Sequence, residues 1–335
     1  MRPCIYFAPK AQLDNFQGTR LRKNLKGSLE LVNLEYAKNL FDEHDLAHFL
    51  TVNDESKIDD EIDAGVKVVF SALYAEEDPS CRIFSPNKDE KELSNKALRL
   101  LNKVDLVLVP TEEDKKLLKN NDVVSRIEVL SPGVNLSRFR KTGSEEDEVF
   151  FEYSQIEKHS KCIASVGALN DKETIEKLFE IARLLPDYKF FYFGPGKHPW
   201  SSLFKRHKIP GNVKLSGLTN DEVYCSLLKQ IKHFLVLGET NASSLLTLLE
   251  VMASKTDIIT LNNVKNNKEI LIKEKRAHVC ANNEEIVATI KGIDNGKIPS
   301  LAEEGYKYAK KNSLANLGPK LVNLYQSLME DKKHD

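Results

Sequence analysis

At 335 residues the chain is long enough for about two domains, each able to bury its own core, which rules out a small stapled scaffold. Hydrophobic residues make up 41% and charged residues 30%, and 49 Lys plus Arg stand against 50 Asp plus Glu for a formal charge of −1. That balance describes an ordinary globular protein and argues against a dedicated nucleic-acid binder.

Short apolar runs alternate with longer amphipathic segments from one end to the other, the pattern of an α/β protein with parallel sheets. In the first half, strands are expected at residues 4–8, 46–51, 66–72, 105–110 and 127–130, and helices at 29–41, 91–103 and 112–119. The basic cluster Arg20, Arg22, Lys23 and Lys26 falls between the first strand and the first helix, beside Gly18 and Gly27, and is expected in a loop that is either simply solvated or faces an anionic surface such as lipid headgroups. His44 and His48 have helical i, i+4 spacing, but the stretch 46–50 reads as a strand, so no metal site is expected. The five cysteines are an odd number without a C-x-x-C pair and are expected as reduced, buried thiols.

Residues 142–160 turn polar, with the acidic run Glu145, Glu146, Asp147 and Glu148, and are expected to form the domain boundary. The alternation then restarts, with strands at 162–166, 189–193, 213–215, 232–237 and 257–261 and helices at 172–185, 220–229 and 244–253. Two helices close the chain at 300–311 and 314–329, the second with Leu314, Leu317, Leu321, Leu324, Tyr325 and Leu328 along one stripe that needs a surface to cover. No apolar run approaches the roughly 18 residues of a membrane span, and the start lacks the apolar core of a signal peptide, so a cytoplasmic chain is expected.

In open parallel sheets, ligands bind beyond the carboxyl ends of the strands. Gly167, Gly194 and Gly238 stand at such ends, where a glycine lets backbone approach a ligand, although each also fits simple turn chemistry. The segment 239–254 follows a strand and opens a helix, with Asn241, Ser243 and Ser244 as cap candidates, so that free amides and the helix dipole favour a phosphate. Glu250 lies at least a turn inside this helix and reads, taken alone, as a solvated carboxylate. No G-x-G-x-x-G follows a strand, which argues against a dinucleotide-dependent dehydrogenase.

The run from Leu248 to Ser254 (L-L-E-V-M-A-S) resembles the L-E-A-M-A-S segment of family 4 glycosyltransferases. The run from Leu130 to Phe139 (L-S-P-G-V-N-L-S-R-F) is similar to that family's N-G-V-D-x-x-x-F passage before the interdomain hinge. The segment from Val166 to Gly194, with A-R-L-L-P-D-Y-K-F-F-Y-F-G at its end, and the run from Ser71 to Asp78 resemble the branch that adds a second sugar to glycosyl-diacylglycerol in low-GC Gram-positive bacteria and mollicutes.

The resemblance implies a GT-B fold of two Rossmann-like domains facing across a cleft, with domains at 1–145 and 146–312 and a crossover helix at 313–335 returning to the first. It implies a retaining transfer of a hexose from a UDP-sugar to a lipid-linked or saccharide acceptor, without a metal or cofactor, on the inner face of the cell membrane. Lys172 matches the residue that neutralises the donor diphosphate, Glu250 the glutamate that holds the ribose, and Leu246 and Thr247 the amides that cradle the diphosphate. Gly18, Gly167, Glu239 and Asn241 join the donor side, Glu76, Glu77 and Asp78 the acceptor side, and Arg20, Arg22, Lys23 and Lys26 the membrane side. Three positions depart from the pattern: the first glutamate of the pair is Ala242, the arginine before the lysine is Asp171, and the acceptor histidine is Leu73. These departures keep open the alternative of a non-catalytic GT-B module acting as a partner subunit or sugar-binding protein.

Overall fold

The computed structural model describes residues 1–7, 17–76, 81–85, 92–167, 169, 171–194, 209–217, 220–238, 244–264 and 267–330. The chain divides into two compact units, one formed by Met1–Val134 with Asn312–Asp335 and the other by Asn135–Lys311.

The first unit is built on β1 (Pro3–Tyr6), α1 (Gln17–Leu31), β2 (Leu46–Phe49), α2 (Glu55–Asp63), β3 (Lys67–Ser71), α3 (Asn95–Leu101), β4 (Leu106–Val109), α4 (Glu112–Asn120) and β5 (Arg126–Val129). Its five strands pair in parallel in the order β1-β2-β3-β4-β5. Every residue of β2 and β4 is buried, as a sheet covered on both faces requires. Ala47, Phe49, Val68, Phe70, Val107 and Val109 point to one face, where Ile58, Leu100 and Leu118 bring α2, α3 and α4 against them.

The second unit contains α5 (Leu136–Phe139), α6 (Val149–Ser154), β6 (Lys161–Val166), α7 (Lys172–Leu184), β7 (Tyr188–Phe193), β8 (Val213–Ser216), α8 (Asp221–Gln230), β9 (His233–Val236), α9 (Leu245–Ala253), β10 (Asp257–Leu261), β11 (His278–Cys280), α10 (Asn283–Asp294) and α11 (Ala302–Lys311). Its six parallel strands run in the order β11-β10-β9-β6-β7-β8. One face packs Ile163, Phe190, Leu235 and Ile259 against α7 and α10. On the other, the Phe150 ring of α6 meets Phe191 edge-on at 4.6 Å between centroids.

The polar stretch expected as a linker belongs to the second unit, and the division falls at Val134–Asn135. The physical reason is Asp147, which is 1% exposed despite its acidic neighbours. Its carboxylate accepts from the Thr142 amide at 2.6 Å, the Gly143 amide at 2.7 Å and the Lys229 ammonium at 2.8 Å, an anchor and not a solvated hinge. Burial opposes its charge, but these donors outweigh burial and hold its pKa below the usual carboxylate range.

The last helix, α12 (Leu314–Glu330), returns to the first unit, where it packs against α1. Gly318 makes this possible: a Cβ there would collide with the Ser28 carbonyl and press on Val32 of the α1 side. Buried Tyr325 reaches His48 on β2 at 2.7 Å, and the other ring nitrogen of His48 meets the Ser71 hydroxyl at 2.8 Å. Total burial pushes the imidazole pKa down to about 3, so the ring is neutral and serves as donor on one side and acceptor on the other.

The region expected as a loop around the basic cluster is the helix α1, and the helix expected at 29–41 ends at Leu31. Its two glycines mislead because they are packing positions: a Cβ on Gly27 would sit 3.3 Å from Leu314, and one on Gly18 would clash with the Phe7 ring. Among the described residues no helix is long and apolar enough to cross a membrane, and no three His, Cys, Asp or Glu side chains converge as a metal set.

Candidate functional site

The second unit's strand order turns back on itself between β6 and β9: the chain winds outward from β6 through β7 to β8, then returns to β9 and winds the other way. At such a switch point, the loops leaving two adjacent carboxyl ends diverge and leave room for a ligand. The segment leading from β6 into α7 and the segment leading from β9 into α9 are those loops.

At the first, Gly167 follows β6 and donates its amide to the Phe193 carbonyl at 2.9 Å, while the buried Tyr192 hydroxyl packs against its α-carbon where any Cβ would collide. Lys172 opens α7 with its side chain 50% exposed, and it makes a loose pair with Glu176 at 3.6 Å. Asp171 is the α7 N-cap: one carboxylate oxygen accepts from the Thr174 amide at 3.1 Å and the other from the Thr174 hydroxyl at 2.8 Å. An anionic cap has therefore taken the positive end of α7, and contact with a further anion there falls to the mobile Lys172 ammonium.

At the second, α9 starts from a neutral cap, Ser244, whose hydroxyl accepts from the Thr247 amide at a long 3.4 Å. Leu246 and Thr247 lie in the first turn, where amides lack intrahelical acceptors, so this terminus is the better seat for an oxyanion. All nine residues of α9 are buried, Glu250 among them at 2% exposure. Its Oε2 accepts from the Tyr224 hydroxyl of α8 at 2.8 Å. The expectation of a solvated carboxylate is thus corrected: this is a carboxylate built into the unit.

Arg138 of α5 lies on the same side, bonding Asp221 at 2.7 Å and the Cys225 sulfur at 2.9 Å. Burial works against its charge, yet neighbouring acidic groups, the hydrogen-bonded Asp221 first among them, raise its pKa. Burial pushes the Cys225 thiol up to about 11, so it is neutral at physiological pH. Sequence reading missed both Tyr224 and Arg138. Arg138 stands within the run from Leu130 to Phe139, but nothing in its spacing signals that it comes near Glu250.

The other residues singled out from sequence lie in the first unit or outside the described residues. Gly18, Arg20, Arg22, Lys23 and Lys26 all lie on α1. Arg20 is 5% exposed and does not present its charge to solvent, because the helical period sets it on the face that buries Leu21 and Asn24. The Arg22 Nε donates to the Ile5 carbonyl at 3.3 Å, and Lys26 sits over the Tyr36 ring, 4.9 Å from its centroid, leaving Lys23 as the exposed member. Glu76 follows β3, its carbonyl accepting from Arg82 at 2.9 Å. Glu77, Asp78, Glu239, Asn241, Ala242 and Ser243 lie outside the described residues.

Residues 146–312 match the family described as Glycosyl transferases group 1. Over 344 residues the chain is 24% identical to the processive diacylglycerol alpha-glucosyltransferase of Acholeplasma laidlawii, with 99% of this chain and 100% of that one covered. Among solved structures it is similar to Anabaena Alr3699/HepE in complex with UDP and glucose, at a TM-score of 0.70 and 12% identity over 98% of this chain and 100% of that chain. It is also similar to sucrose-phosphate synthase from Thermosynechococcus elongatus, at a TM-score of 0.64 and 14% identity over 86% of this chain and 74% of that chain. With two parallel-sheet α/β units, a GT-B likeness in its structural neighbours and the family match across its second unit, the chain carries a group 1 glycosyltransferase domain at residues 146–312 and is a glycosyltransferase.

Proposed function

We propose that the chain is a retaining hexosyltransferase that moves a hexose from a UDP-sugar to a lipid-linked acceptor such as monoglycosyl-diacylglycerol. The observation that carries this reading is the likeness to the diacylglycerol glucosyltransferase, which runs the full length of both chains. The complexes of Anabaena Alr3699/HepE with UDP, glucose and UDP-glucose support a UDP-sugar as donor.

Glu250 accepts hydrogen bonds from the ribose hydroxyls, and the α9 amides of Leu246 and Thr247 meet the diphosphate. The Thr247 amide exchanges a long bond to Ser244 for this contact. Lys172 neutralises the charge that builds on the departing diphosphate, a stabilisation made most fully in the transition state. The acceptor hydroxyl attacks on the face that the diphosphate leaves, which retains the anomeric configuration. Gly18, Gly167, Glu239 and Asn241 are assigned to the donor side, and Glu76, Glu77 and Asp78 to the acceptor. No metal or cofactor is assigned a role. Lys23, with Arg22 and Lys26 behind it, supplies cations for peripheral attachment to an anionic inner membrane face, each worth about 1 kcal/mol near such a surface.

The test is transfer from radiolabelled UDP-glucose and UDP-galactose to monoglucosyl-diacylglycerol in mixed micelles, with and without EDTA. The expected result is a diglycosyl lipid whose new bond is cleaved by an α-glycosidase, formed at the same rate with the chelator present. Labelled product on a water-soluble saccharide alone, or a β-linked product, contradicts the proposal.

A further inference from the structure

We propose that Tyr224 and Arg138 are positioning residues for Glu250, the Tyr224 hydroxyl fixing the rotation of its carboxylate and the Arg138 guanidinium balancing its charge, so that it stands ready for a vicinal diol. The proposal rests on the assignment of Glu250 to the nucleotide ribose.

A carboxylate within a wholly buried helix costs several kcal/mol unless hydrogen bonds and an opposite charge hold it. The first holder is specific: the Tyr224 ring is 4% exposed, and a phenylalanine would fill nearly the same volume, so what the hydroxyl adds is hydrogen bonding, its 2.8 Å bond to Glu250 Oε2 included. It comes from α8, a different helix from the carboxylate, and so fixes Glu250 against a second rigid element. The second holder comes from α5, which packs against both α8 and α9. Arg138 is fastened by Asp221 at 2.7 Å, and the neighbouring Cys225 is a neutral thiol that consumes none of its charge. A carboxylate fixed in this way accepts hydrogen bonds from a vicinal pair of hydroxyls, which fits a sugar diol at Glu250 and leaves the diphosphate to the α9 terminus.

The experiment is calorimetric titration of the full chain with UDP and with 2′,3′-dideoxy-UDP, for the unaltered protein and for Glu250→Ala, Tyr224→Phe and Arg138→Met. The unaltered protein is expected to prefer UDP by at least about tenfold, a preference that Glu250→Ala removes. Tyr224→Phe, which deletes one oxygen and keeps the packing, is expected to weaken UDP about tenfold while leaving dideoxy-UDP unchanged, and Arg138→Met to act in the same direction. In steady state, Tyr224→Phe raises KM for the UDP-sugar about tenfold with kcat within about threefold. If Glu250→Ala removes the preference but Tyr224→Phe keeps it or weakens both ligands equally, the positioning role is overturned and the ribose assignment stands. If the unaltered protein binds no UDP, or Glu250→Ala keeps the preference, the ribose assignment falls and the positioning role with it.

Discussion

Lys172→Ala is expected to lower kcat for glycosyl transfer by about 10²- to 10³-fold, the cost of removing one preorganised group from a developing anion. The same substitution is expected to move thermal unfolding by no more than about a degree. The Lys172 side chain is half exposed, and its contact with Glu176 at 3.6 Å is a surface i, i+4 pair worth at most a few tenths of a kcal/mol. The contrast separates chemistry from folding. Because Asp171 already caps α7 with its own charge, no helix terminus substitutes for the missing ammonium there, and the loss falls on kcat more than on KM for the donor. Lys172→Arg, which keeps the charge, is expected to recover part of the rate. Steady-state kinetics beside calorimetric melting checks this, and equal losses of rate and stability contradict it.

The second large effect concerns acid. His48 is wholly buried between Ser71 and Tyr325, with its pKa lowered to about 3 from an ordinary 6.5. The folded protein therefore binds fewer protons at this ring than the unfolded chain does between those values, so stability falls as pH drops below 6.5. The loss is about 1.4 kcal/mol per pH unit, or roughly 2 to 3 kcal/mol by pH 4.5. His48→Gln is expected to be less stable than the parent at pH 7, having lost well-made hydrogen bonds, but to close that gap by about 1.4 kcal/mol for each unit of acidification below 6.5. Urea unfolding of both proteins from pH 7 to 4.5 measures the gap; a gap that stays constant contradicts a neutral buried imidazole. The parts at stake are β2 and α12, since Tyr325 is the link between them that protonation disturbs.

The elements legible in the sequence are those where pattern and burial agree. The strand at 257–261 and the helix from Lys172 agree with the sequence pattern almost to the residue, because a β-branched apolar run and an amphipathic period are local signals. The basic segment was misread because Gly18 and Gly27 look like loop residues, whereas tertiary contacts with Phe7 and Leu314 are what require them. The acidic run looked like a linker because composition carries no sign that Asp147 gathers two backbone amides and Lys229 around one carboxylate. At the site, Lys172, Gly167, Leu246, Thr247 and Glu250 came from motif resemblance, and the structure places them on the two segments that leave β6 and β9. Tyr224 and Arg138 were beyond reach: each lies far in sequence from Glu250, and only the packing of α5 and α8 beside α9 brings them near it.

On the reading proposed above, the carboxyl edge of the second unit's sheet holds a uridine nucleotide through Glu250 and the start of α9. The most direct measurement is calorimetric titration of the protein and of Glu250→Ala with UDP. Micromolar binding that falls at least about tenfold in the variant, with melting still cooperative, is the predicted result. No heat with UDP, or equal affinity for the two proteins, contradicts the claim.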